Sequence, residues 1–124
     1  MYLHESAEMY LETIYVLTEK SGAVRSIDVA EHMGYSKPSV SRAVNLLKKG
    51  GYLVMAADGS LSLTDEGKQA AKKIFDRHTV LSQFLAYIGV SDETAAKDAC
   101  RIEHIISDET VLAIKNFVEQ STQK

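Results

Sequence analysis

Apolar residues recur at the spacing of an α-helix along most of this chain and alternate with polar residues over one short stretch. The helical stretches end at glycines or before capping residues, which lets each element be bounded from the sequence. Helices are predicted over about residues 5–19, 27–33, 37–49, 64–87, 91–106 and 108–118, with a polar, frayed tail at 120–124.

The second and third predicted helices are separated by a three-residue turn. Ser26 is expected to cap the second helix, and Gly34 suits the left-handed turn at its C-terminus. Ser36 is expected to cap the third helix, with Pro38 in the first turn, where a missing N–H costs little. This spacing is typical of a helix-turn-helix motif.

An Asp58-Gly59 turn signal lies between Tyr52-Leu53-Val54-Met55 and Leu61-Ser62-Leu63, and this pattern predicts a β-hairpin. A hairpin directly after a helix-turn-helix is interpreted as a wing. The predicted fold is therefore mainly α with a small hairpin wing. We expect a winged helix-turn-helix domain at 1–72 and a helical domain at 73–124.

The net charge of −3 conceals an uneven distribution along the 124 residues. Residues 1–19 carry four Glu and no Lys or Arg, whereas residues 20–77 carry ten Lys and Arg against six Asp and Glu. Residues 78–124 are again acidic. A basic segment between acidic flanks is compatible with DNA binding, although random surface variation would also produce it.

Composition excludes several classes of protein. Apolar residues make up 45% and charged residues 25% of the chain, as in a globular domain that buries its own core. No apolar run reaches 18 residues and no secretory leader is recognised, so a cytoplasmic protein without a membrane partner is expected. One cysteine allows neither an internal disulfide nor a multi-cysteine zinc site.

The third predicted helix carries a polar stripe that contains no acidic residue. Side chains of this kind hydrogen-bond to base edges and phosphates, and Arg can donate two bonds to guanine. Ser36 and Ser39 lie at the helix N-terminus, where free N–H groups favour a phosphate, and Arg25 precedes the helix pair. A solvated basic face is the alternative. The candidate DNA-binding residues are Arg25, Ser36, Pro38, Ser39, Ser41, Arg42, Asn45 and Lys49.

Three potential metal ligands lie close together in the predicted fifth helix. Cys100, Glu103 and His104 stand at positions i, i+3 and i+4 and are expected to share one helical face. A thiolate, a carboxylate and an imidazole on one face form a partial coordination shell for a divalent transition metal.

Further candidate ligands come from two other helices. His78 lies within the apolar stripe of its helix, where a packed core histidine and a metal ligand both fit. Met9 and Glu12 are one turn apart on the acidic first helix, where repulsion between glutamates favours a nearby cation. A gap-filling core methionine is the alternative for Met9.

Taken together, these residues resemble the diphtheria-toxin-repressor family of metal-activated repressors, in its short two-domain form. The matching segments are Glu8-Met-Tyr-Leu-Glu-Thr-Ile-Tyr15, Ser36-Lys-Pro-Ser-Val-Ser41, Leu63-Thr-Asp-Glu-Gly67, Arg77-His78 and Asp98-Ala-Cys-Arg-Ile-Glu-His104 followed by Ser107-Asp-Glu109.

The resemblance implies a winged-helix domain, a helical dimerisation domain and metal bound where the two meet. The ligands it implies are Met9, Glu12, His78, Cys100, Glu103 and His104. Met9 and Cys100 look like the family's iron-responsive branch, whereas Glu12 looks like its manganese-responsive branch. Fe²⁺ or Mn²⁺ is therefore the expected cofactor, with Zn²⁺ or Co²⁺ able to bind in vitro.

The expected function is that of a homodimeric repressor that binds double-stranded operator DNA when loaded with metal and controls metal-ion uptake and homeostasis genes. An alternative is a winged-helix regulator that senses oxidation through Cys100 without metal. A metal-dependent enzyme is disfavoured, because no catalytic triad order, phosphate loop or spare general base is recognised. No small organic substrate is expected.

Overall fold

A computed structural model describes residues 5–122 of the chain, and over this range it contains six helices and one two-stranded hairpin. The predicted fold, mainly α with a hairpin wing, is confirmed. The elements are α1 (Glu5–Ser21), α2 (Ser26–Met33), α3 (Lys37–Lys49), β1 (Leu53–Met55), β2 (Leu61–Leu63), α4 (Asp65–Tyr87), α5 (Asp92–Ile102) and α6 (Asp108–Thr122).

The chain divides into two compact units, residues 1–72 and 73–124. In the first unit, α1 packs against α2, α3 and β2. The apolar stripes of these helices form one buried core, with Leu11, Ile14, Val29 and Val40 fully buried. This packing turns the opposite face of α3 to solvent.

The hairpin joins β1 and β2 in antiparallel register, with Leu53 opposite Leu63. The turn predicted at Asp58-Gly59 is confirmed, and Gly59 adopts the positive φ of 89° that favours glycine. An isolated bridge from Val24 to Leu61 adds a third extended segment beside the hairpin. The wing is therefore attached to the residues that precede α2.

The predicted caps are confirmed at two helix ends and wrong at one. Gly34 ends α2 in the left-handed conformation, and the side chain of Ser36 caps α3 by accepting a bond from the backbone N–H of Ser39. Ser26 is not a cap but the first residue of α2. The reason is that the Asp28 carboxylate accepts a hydrogen bond from the backbone N–H of Arg25, so the helix begins one residue earlier.

In the second unit, α4 and α6 contribute an aromatic contact in which the ring of Phe117 lies 5.9 Å from that of Phe84 and 5.8 Å from that of Tyr87. The predicted fifth helix is too long, because α5 ends at Ile102 instead of Ile106. The backbone N–H groups of Ile105 and Ile106 both donate to the carbonyl of Ile102, which closes a turn.

The last predicted helix is too short. Helix α6 extends to Thr122, past the predicted end at Val118, because Val118 is buried and keeps the final turns packed. The expected fraying of the tail is thus wrong for residues 120–122, and residues 123 and 124 lie outside the described range. None of the described helices combines the length and apolar character needed to cross a membrane.

Candidate metal centre and nucleic-acid interface

The polar stripe predicted on the third helix is exposed on α3. Val40, Val44 and Leu47 are buried, which fixes the rotation of the helix about its axis. The opposite face therefore points to solvent, and its exposed members are Pro38, Ser41, Arg42, Asn45 and Lys49. Within α3 no acidic side chain interrupts this face, so its electrostatic character is positive.

The N-terminus of α3 is ordered by two serines. The hydroxyl of Ser36 accepts from the backbone N–H of Ser39 at 3.3 Å and donates to the hydroxyl of Ser39 at 2.9 Å. Ser36 is exposed, whereas Ser39 is half-buried. The serine pair thus fixes the first turn of α3, whose remaining N–H groups have no partner within the helix.

Arg25 is exposed and lies near the tip of the wing. One of its guanidinium nitrogens is 4.0 Å from a carboxylate oxygen of Asp58, and both side chains are more than half exposed. Hydrogen bonds from Ser60, and secondarily the charge of Arg25, lower the pKa of Asp58. Any phosphate that binds Arg25 must therefore compete with a carboxylate that stays ionised at neutral pH.

Two exposed side chains beside the stripe were missed by the sequence analysis. Lys37 is the first residue of α3, and Tyr35 lies in the turn between α2 and α3, with its ring 6.0 Å from that of Tyr10. Both were identifiable from their position next to Ser36, because residues that flank a helix N-terminus share its surface.

The three residues predicted to share one helical face lie close together in the second unit. Cys100, Glu103 and His104 each offer one donor atom, and these atoms all lie within 4.8 Å of one another. The premise that all three share one helix is wrong, because Glu103 and His104 lie in the turn after α5. Glu103 retains a helical backbone conformation, which keeps the i, i+3, i+4 spacing intact.

The carboxylate of Glu103 is flanked by two imidazoles. Its Oε2 lies 2.9 Å from Nδ1 of His78, and its Oε1 lies 3.3 Å from Nε2 of His104. The side chains of Glu103 and His104 are completely buried, and that of His78 is 29% exposed. The structure therefore places the imidazole of His78 beside the carboxylate of Glu103.

Glu103 is the one buried charged residue within the described part of the chain. Its Oε1 accepts no hydrogen bond from any described residue. A buried carboxylate oxygen without a hydrogen bond is costly unless a cation compensates it. A divalent metal fits this site, since the donor set of carboxylate, thiol and imidazoles suits first-row transition metals.

The two candidate ligands of the first unit lie on α1. Met9 and Glu12 are one turn apart on this helix, and both are half-buried. Met9 is adjacent to Tyr10 and Leu11, which belong to the core of that unit.

Two family matches cover nearly the whole chain. The family described as iron dependent repressor, N-terminal DNA binding domain, matches residues 2–61, and the iron dependent repressor metal binding and dimerisation domain matches residues 64–124. The chain belongs to the iron-dependent repressor family. It thus carries the DNA-binding domain and the metal-binding and dimerisation domain of a metal-dependent transcriptional repressor, and is not an enzyme.

Individual relatives agree with this assignment. The HTH-type transcriptional regulator MntR of Geobacillus kaustophilus is 38% identical over 92% of this chain and 81% of its own length. The structure of a manganese-dependent transcriptional repressor in complex with manganese is similar, with a TM-score of 0.84 and 28% identity over 91% of this chain and 52% of that one.

A third relative is the manganese regulator SloR, whose structure matches with a TM-score of 0.81 and 26% identity over 96% of this chain and 55% of its own. The chain thus spans about half the length of these two solved structures. The alternative of a metal-independent oxidation sensor is not supported, because the matching C-terminal family is a metal binding domain.

Proposed function

We propose that this protein is a repressor that binds operator DNA when it is loaded with Fe²⁺ or Mn²⁺ and that it controls genes for metal-ion uptake and homeostasis. The observation that carries the proposal is the fully buried Glu103, flanked by two imidazoles and near a thiol, in a chain that also exposes a basic recognition helix. The matched families and the manganese regulators among the relatives support the same conclusion.

We propose His78, Cys100, Glu103 and His104 as ligands from the domain at 73–124. Met9 and Glu12, from the domain at 1–72, complete the set; this part rests on their donor types and the family resemblance. Carboxylate and imidazole suit Mn²⁺, whereas thiolate and thioether favour Fe²⁺, Co²⁺ or Zn²⁺. Because the donor set is mixed, we propose Fe²⁺ or Mn²⁺ as the metal that activates the repressor.

Metal acts as an allosteric ligand in this proposal. Ligands contributed by both domains restrict the orientation of the winged helix, which favours the arrangement that binds DNA. By linkage, metal raises DNA affinity by the same factor by which DNA raises metal affinity. A coupling of about 1–3 kcal/mol is typical of such systems.

The repressor acts as a homodimer on double-stranded DNA, because one recognition helix contacts few bases and two half-sites supply the remaining specificity. The second unit exposes several large apolar side chains that a partner subunit would cover. Those at least 45% exposed are Tyr87, Ile88, Ile105, Leu112 and Phe117. No membrane or small organic substrate is part of the proposal, and the protein acts in the cytoplasm.

The proposal is tested by selecting an operator from random duplexes with Mn²⁺-loaded protein and measuring its affinity across a panel of divalent metals. Mn²⁺ or Fe²⁺ should support binding and chelator should abolish it, with metals counted per protomer in parallel. Equal operator affinity in chelator and in metal would refute the proposal.

Arg42→Ala is expected to weaken specific operator binding by about 1–3 kcal/mol, since Arg42 projects from the middle of the exposed stripe. Metal affinity should not change. Fluorescence anisotropy on the operator and on a scrambled duplex measures the effect. Lys115→Ala on α6 is the matched control, because it also removes one exposed positive charge. An equal loss on both duplexes would make Arg42 a phosphate contact instead of a base contact.

A further inference from the structure

The turn that carries Glu103 and His104 is tied to α5 through its N–H groups, because those of Glu103, Ile105 and Ile106 donate to carbonyls of α5. Residues 103–107 connect α5 to α6 and lie outside both helices. The carbonyl oxygens of such a turn are left without helical partners. Without partners for these carbonyls, the segment that carries two metal ligands would have to be ordered at the moment of binding, which would reduce metal affinity.

Arg77 supplies the missing partners. One guanidinium nitrogen, Nη1, donates to the carbonyl oxygens of Glu103 and Ile106, each at 3.0 Å. The other, Nη2, donates to the Asp108 carboxylate at the start of α6. The side chain is only 14% exposed, so these bonds are largely shielded from water.

The position of Arg77 in sequence strengthens its effect on the site. Arg77 directly precedes His78, which contacts the side chain of the same Glu103 whose carbonyl Arg77 holds. One dipeptide of α4 therefore fixes both the main chain and the side chain of the buried glutamate. The hydrogen bond from Arg77, and to a smaller extent that from Lys73, lowers the pKa of Asp108, so the carboxylate that Arg77 binds stays ionised.

We propose that Arg77 is a positioning residue for the metal centre, which holds Glu103 and His104 in the geometry that binds metal before metal arrives. This inference rests on the proposed function. Arginine suits the role because its planar group donates several bonds in fixed directions, whereas the single ammonium of lysine cannot reach two carbonyls and a carboxylate together.

The competing explanation is that Arg77 only joins α4 to α6. Lys73 offers a control, because it also pairs with Asp108, at 3.3 Å, but is 60% exposed and has no bond to the turn among the described residues. If Arg77 only joined the two helices, its replacement would lower thermal stability without altering how a bound metal is coordinated.

The experiment compares the full-length wild type with Arg77→Lys and Lys73→Met. Co²⁺ is the probe, since its thiolate absorption reports the coordination of Cys100 directly, and the Tm of the metal-free protein is recorded in parallel. Arg77→Lys should weaken Co²⁺ binding about 10–100-fold, the range found for residues that orient metal ligands, and should alter the absorption. Lys73→Met should change the affinity less than about fivefold, as expected for an exposed ion pair.

Wild-type Co²⁺ affinity and absorption in Arg77→Lys would overturn the inference, whatever its Tm. If this variant does not fold, Asp108→Asn loosens the same guanidinium from the other side, and a loss of Co²⁺ affinity is again expected. Unchanged affinity in Asp108→Asn would overturn the inference as well. Failure of the wild type itself to bind metal would instead refute the proposed function.

Discussion

Glu103→Gln should lower metal affinity by about 100-fold or more, beyond the roughly 10–100-fold typical of residues that only orient a ligand. The amide keeps the shape of the side chain and can still accept a bond from Nδ1 of His78, but it removes the negative charge. The metal-free protein should be as stable as the wild type or more stable, because a buried carboxylate oxygen without a hydrogen bond is no longer present.

Metal affinity by competition and chemical denaturation of the metal-free protein measure the two halves of this prediction. Glu93→Gln is the matched control, because that carboxylate is 81% exposed and pairs only with Lys97 among the described contacts. Unchanged metal affinity combined with a large loss of stability would show that Glu103 is a structural residue of the core.

Gly67→Ala should destabilise the first unit by about 3 kcal/mol or more, at the upper end of what overpacking costs. A Cβ atom at this position would lie 1.9 Å from the carbonyl oxygen of Tyr52, which belongs to the backbone and cannot rotate away. Either α4 or the start of the hairpin must move. Since the same carbonyl accepts the backbone N–H of Thr64, the substitution also strains the junction between wing and helix.

Thermal and urea unfolding measure the loss, and operator binding should fall with it because the wing is displaced. Gln69→Ala, at an exposed position two residues further along α4, should leave both quantities unchanged. A Gly67→Ala protein with wild-type stability would mean that α4 is free to shift away from Tyr52, contrary to the packing described above.

Local patterns predicted the elements of the fold well. The apolar stripe of α3, the Ser36 cap and the Gly34 terminus depend on neighbours within a few residues, so the sequence alone was sufficient to identify them. The grouping of Cys100, Glu103 and His104 was also predictable, because three- and four-residue spacings bring side chains together on any helical backbone.

Features that depend on distant residues were not predictable in this way. Helix α5 ends at Ile102, and the turn that follows it is bonded to Arg77. The two carbonyls that accept from Arg77, those of Glu103 and Ile106, are 26 and 29 residues away from it in sequence. The close approach of Gly67 to Tyr52 similarly requires two elements to meet. The resemblance marked Arg77 and Gly67 as matching positions, and the structure supplies a physical reason for each.

If metal binding and DNA binding are coupled as proposed, the Mn²⁺ affinity of the protein measured without DNA must differ from that measured with saturating operator. Mn²⁺ should bind more tightly in the complex, by the same factor by which Mn²⁺ raises operator affinity, about 5–150-fold in typical coupled systems. Equal Mn²⁺ affinities in the presence and absence of operator would contradict it.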